Sequence, residues 1–139
     1  MSQKLILVKY ELEDGVPIDA SSENLKAAYA PPEFVTWLVD KKISFEVMIK
    51  ESAEESADIP VVTIDDIENN FLEEILLHIE AELIHLIEAA HSHTATGVLI
   101  PEEIDKDFSD IHTWLELRII VKEKKDKYID NLNIKIIVG

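Results

Sequence analysis

Glu74, His78, Glu82 and His85 stand at spacings of four, four and three in the 139-residue chain. On a helix turning about 100° per residue they form one stripe. Imidazole beside carboxylate supplies acid–base chemistry near neutral pH, or ligands for a divalent metal. His91 and His93 follow, two residues apart. They chelate together only if the helix unwinds there; otherwise they sit at its negative pole. The plainer reading of the stripe, and the one adopted, is Glu–His pairing along an exposed helix edge, worth about 0.2–0.5 kcal/mol per pair.

Glu82-Leu83-Ile84-His85 has the Glu-x-x-His form used in di-iron helical bundles. Such a site needs two of these motifs and two further glutamates from four helices. One motif on one long helix falls short of that ligand count. Asp105, Asp107, Ser109, Ile111, Thr113 and Glu116 occupy positions 1, 3, 5, 7, 9 and 12 of a twelve-residue segment. This spacing resembles the EF-hand calcium loop. It departs at position 6, where Asp110 replaces the turn-forming glycine, and no flanking helices are evident. An ordinary acidic loop is the expectation, with no metal and no cofactor.

Covalent catalysis finds little support. The chain has no cysteine, and no serine sits in a Gly-x-Ser-x-Gly turn. Its three glycines, Gly15, Gly97 and Gly139, are too dispersed to cradle a phosphate, and Arg118 is the single arginine. The expectation is a protein that is not an enzyme.

Charge is the strongest compositional signal. The formal net charge is −16. Nucleic-acid and anionic-membrane binding both need lysine and arginine, so direct contact with either is disfavoured. From Glu51 to Glu116 there are 18 acids and one base, so the excess negative charge lies in that middle stretch. Solvation of an acidic face explains such a pattern, and so does docking of a cationic protein. The apolar start, Leu5-Ile6-Leu7-Val8, is too short for a signal-peptide core, and no run reaches the ~20 apolar residues of a membrane span. A cytoplasmic location is expected.

The elements that must position these groups follow from periodicity. Residues 3–12 read as a strand closed by an Asp14-Gly15 turn. Ser21-Ser22 is expected to cap a short helix through Lys26, Ala27 and Ala28, which Pro31-Pro32 breaks. Pro32 opens a second helix carrying Phe34, Trp37, Leu38 and Lys41. Ile43, Phe45, Val47 and Ile49 alternate with polar neighbours as a half-buried strand, 51–58 is an acidic loop, and 59–64 is a short edge strand. A long helix is expected from Thr63-Ile64-Asp65-Asp66 to His91 or His93, with Ile67, Phe71, Leu72, Ile75, Ile79, Leu83, Leu86 and Ala90 on one broad face. Leu77 and Ile84 lie off that face, so either the helix is covered on two sides or it offers a small seam for contact with another chain. After an acidic loop, residues 114–122 are expected to pair with 128–138 across a Lys124–Lys127 turn, as a C-terminal β-hairpin.

The expected fold is therefore one α+β domain over 1–139. It has a mixed or antiparallel sheet of four to five strands, one long acidic helix and one or two short helices. The expected function is a non-enzymatic acidic binding protein that neutralises or inhibits a cationic partner. That partner would be a toxin or a nucleic-acid-binding enzyme, in the manner of a toxin-immunity protein, an antitoxin or an anti-defence inhibitor. Its candidate contacts are Glu51, Glu54, Glu55 and Asp58 before the helix, Glu73, Glu80 and Glu88 on it, and Asp105, Asp107 and Asp110 after it. The alternatives are an assembly subunit that forms a homo-oligomer through Leu77/Ile84 or a sheet edge, and a metal-dependent protein using calcium or the His/Glu stripe.

Overall fold

Alternation along β1 (Gln3–Glu13) sends Leu5 and Leu7 to one face and Ile6, Val8 and Tyr10 to the other. Asp14 and Gly15 then both take positive φ, 52° and 79°. Two such residues make the tight loop whose twist matches a hairpin. The chain returns as β2 (Val16–Ala30), with Glu13 opposite Val16 and Leu5 opposite Ala28. Residues 21–28, expected as a helix, are therefore strand. Their small and polar side chains have no strand preference of their own. Pairing with β1, a strand buried on both faces, overrides local propensity, at the cost of irregularities after Leu7 and Lys9.

The computed structural model describes residues 2–52, 57–64, 71–95, 97–98, 100–131 and 133–139. Pro31 and Pro32 open α1 (Pro32–Asp40), which buries Phe34 and Leu38 and stops where Lys42 turns to a φ of 58°. β3 (Phe45–Lys50) pairs antiparallel with β4 (Asp58–Thr63) and touches β2 in parallel at Ile18–Lys50. β5 (Ile134–Val138) pairs antiparallel with both β1 and β4, closing the five strands in the order β1-β2-β3-β4-β5. The α+β class and the mixed sheet are as expected. Closure into a barrel was not anticipated.

Two long helices separate β4 from β5. α2 (Leu72–Ala95) buries Leu72, Ile75, Leu76, Ile79 and Leu83, the broad face expected of it. The expected start at 65–66, and Ile67 with it, lies outside the described residues. α3 (Pro101–Lys127) is the main correction. The acidic loop, the 114–122 strand and the Lys124–Lys127 turn are one continuous helix, so there is no C-terminal β-hairpin. Among the described residues of the expected 128–138 strand, only Ile134–Val138 form a strand.

The physical reason is that Leu115, Leu117, Ile119 and Val121 share one parity while Trp114, Leu117, Ile120 and Val121 share a helical spacing, so a period of two and a period of 3.6 both fit. Burial resolves it: Trp114, Leu117, Ile120, Val121 and Lys124 are inside, a helical spacing. Pro101 at the first position, Glu102 and Glu103 in the first turn and three lysines in the last turn agree with the helix dipole.

One large core joins Leu5, Leu7, Ala28, Phe34, Leu38, Leu117 and Ile136 with the inner faces of α2 and α3. A second cluster, Val8, Tyr10 and Ile49 with Val47, Ile59, Val61 and Ile137, fills the other side of β1. Among the described residues no helix is long and apolar enough to cross a membrane.

Candidate interaction surface

α2 and α3 pack antiparallel as a hairpin, fastened at three levels. Lys125 pairs with Glu73 at one end, Arg118 Nε donates to Glu80 Oε1 at 3.1 Å in the middle, and His93 Nδ1 lies 2.8 Å from Asp107 Oδ2 near the turn. The hydrogen bond to Asp107 raises the His93 pKa above its usual 6.5, and that to Glu73 raises Lys125. Lys106 is likewise raised by its partner Asp110, 2.6 Å away and one turn along the same helix.

These pairs redistribute the candidate acids. Glu73, Glu80, Asp107 and Asp110 are engaged within the molecule. Glu51 and Asp58 flank the β3–β4 connection, and Glu88 and Asp105 stand on the helices; all four are exposed and form no ion pair among the described residues. Glu54 and Glu55 lie outside the described residues. On α3, Asp105 points about 200° away from Asp107. The eight described acids therefore do not share one face.

The His/Glu stripe also separates. His78 turns inward and stacks on Trp37, with ring centroids 3.9 Å apart and planes 4° from parallel. Trp114 meets the same ring edge-on at 6.0 Å, and Phe34 meets Trp114 at 5.6 Å. Desolvation there lowers the His78 pKa below 6.5, outweighing the pull of Glu82, while Lys41 lowers it further. His85 is exposed on the other side of the stripe. The calcium-like spacing falls inside α3, where alternate residues point in opposing directions and no twelve-residue loop exists. Among the described residues no group of three or more His, Asp or Glu side chains is placed to hold a metal.

What the hairpin does expose is apolar. Leu77 and Ile84, 58% and 59% exposed, flank Glu80 on α2, and Ile87 continues the stripe. Leu115 and Ile119, both 44% exposed, flank Arg118 on α3, and Phe108 lies further along at 69%. The Glu80–Arg118 pair spans the groove between the helices, so the apolar residues of both line one outer face. Comparison with protein-family models, with curated proteins and with solved structures finds no match.

The Leu77/Ile84 seam is visible in the sequence; its α3 half is not. Phe108, Leu115 and Ile119, at spacings of seven and four, carry the same signal. Reading 114–122 as a strand hid it. A large patch of exposed apolar side chains on a small protein is a mark of an interaction site.

Proposed function

We propose that the chain is a non-enzymatic binding protein that captures a cationic protein and blocks it sterically, as an immunity protein, antitoxin or anti-defence inhibitor does. One observation carries the reading. With a net charge of −16, the carboxylates of Glu51, Asp58, Glu88 and Asp105 are held in solvent and unused in the described ion pairs. Exposed charge of one sign raises the rate of encounter with a basic partner more than it raises affinity. The acids engaged inside the helix hairpin take a lesser part.

A fourfold charge reversal, Glu51→Lys, Asp58→Lys, Glu88→Lys and Asp105→Lys, tests the proposal in captures from the native host. The expected partner is basic, is retained by the wild type at low salt, and is lost both from the reversed variant and at high salt. All four sites are exposed, so circular dichroism of the variant should match the wild type. An acidic partner, or one that the reversed variant holds equally well, sinks the reading.

A further inference from the structure

A second feature of the α2/α3 hairpin is its apolar outer face. It presents Leu77, Ile84, Ile87, Phe108, Leu115 and Ile119 to solvent. We propose that this face is covered by a second copy of the chain, in a two-fold dimer in which α3 runs antiparallel to the α3 of its partner.

Charge along α3 supports that occupant. Its first ten residues carry Glu102, Glu103, Asp105, Asp107 and Asp110 against one lysine, Lys106. Its last ten carry Arg118, Lys122, Lys124, Lys125 and Lys127 against Glu123 and Asp126. Lys124 is buried, and the other four bases lie on the surface or at the groove, each beside one carboxylate of its own molecule. A helix acidic at one end and basic at the other is complementary to itself when antiparallel, and the two-fold then passes close to Leu115, near its midpoint. A two-fold interface requires such self-complementarity.

Lys26, Arg118, Ile119, Lys122 and Lys127 line an open depression together with Glu123 and Asp126, four bases against two acids, at the end where the acidic turns of the other copy would arrive. On α2, Glu73 and Glu80 of the same stripe are already neutralised by Lys125 and Arg118.

Size agrees. A 24-residue helix is about 36 Å long, and two helices side by side present a face about 20 Å across. That is roughly 700 Å² per copy, close to the ~800 Å² of a standard stable interface. The whole-chain charge opposes association. At 0.1 M salt, however, charges more than about 10 Å apart are largely screened, leaving the opposed acidic and basic ends of α3 to act.

Sedimentation equilibrium from micromolar to near-millimolar concentration reads the result directly. The expected mass is twice the 15.8 kDa of the chain. Leu115→Glu is expected to weaken association about 100-fold while leaving the helical circular dichroism unchanged, since Leu115 is half-exposed in the monomer. The chain has no cysteine, so Leu115→Cys gives a clean orientation test. Oxidation should link Leu115→Cys into a covalent dimer at least tenfold faster than Asp40→Cys, placed on α1. A monomer at every concentration overturns the proposal, as does equal cross-linking of the two cysteine variants. A foreign protein displaced from an otherwise monomeric chain by Leu115→Glu also overturns it. Asp105 enters both arguments and Glu88 stands one turn from Ile84, so the dimer is read on the wild type and the Leu115 variants alone. A monomeric wild type that still captures a basic protein, or a dimeric one that captures none, separates this proposal from the one above.

Discussion

Trp37 and His78, on different helices, stack at 3.9 Å with nearly parallel rings. The contact fixes α1 against α2, and its cost is desolvation of an imidazole that is lowered in pKa. A group whose folded pKa lies below its unfolded 6.5 contributes stability above that value. The contribution is lost as pH falls through the folded pKa. Thermal stability is therefore expected to fall progressively on acidification below about pH 6.5. His78→Phe keeps the stack without the titration, and its profile there should be flatter than the wild type's.

The opposite sign holds near the hairpin turn. His93 is raised by Asp107, so its contribution is complete below pH 6.5 and fades as pH climbs through the folded value. Asp107→Asn should remove this dependence. Hydrogen exchange of amides around residues 90–95 and 101–108, followed from pH 6 to pH 8, should show faster opening in the wild type at the higher pH and little change in the variant once intrinsic rates are divided out.

Leu115 and Leu117 distinguish helix from strand by stability alone. Leu117 is fully buried and Leu115 is 44% exposed. In a strand both would face the same way. Leu117→Ala should cost about 2–5 kcal/mol in denaturant unfolding. Leu115→Ala, measured on the monomer, should cost about 0.5 kcal/mol or less. Equal losses would restore the hairpin reading.

Lys124 is buried at 3% exposure and donates to the carbonyls of Tyr128, Asn131 and Ile134. Its ammonium closes the end of α3 and shapes the turn into β5. Lys124→Met removes three hydrogen bonds to oxygens that stay largely enclosed, at a cost of about 2–4 kcal/mol. Lys127→Met, on an exposed neighbour that pairs loosely with Glu123 at 3.7 Å, should change stability by about 0.5 kcal/mol or less. Chemical denaturation of both variants makes the comparison.

Local rules were enough for the elements whose side chains show one period and whose ends are punctuated. Asp14-Gly15 made the first turn, Pro31-Pro32 opened α1, alternation marked β3, and the apolar face of α2 announced itself. They failed where two periods fit one segment. Residues 114–121 satisfy helix and strand alike, and residues 21–28 have helix-leaning side chains in a strand.

Composition and order along the chain determined the acidity, the absence of thiol chemistry, the α+β class and the broad buried face of α2. Tertiary structure alone decided that β2 is extended, because only β1 supplies the pairing that outweighs its propensities. It also decided that α3 is helical, because only packing against α2 and the sheet selects which of two apolar periods is buried. The fate of the charges follows from that packing. Carboxylates contiguous in sequence were divided between solvent and the cations of a helix some forty residues away, and such pairings depend on distances that sequence spacing does not encode.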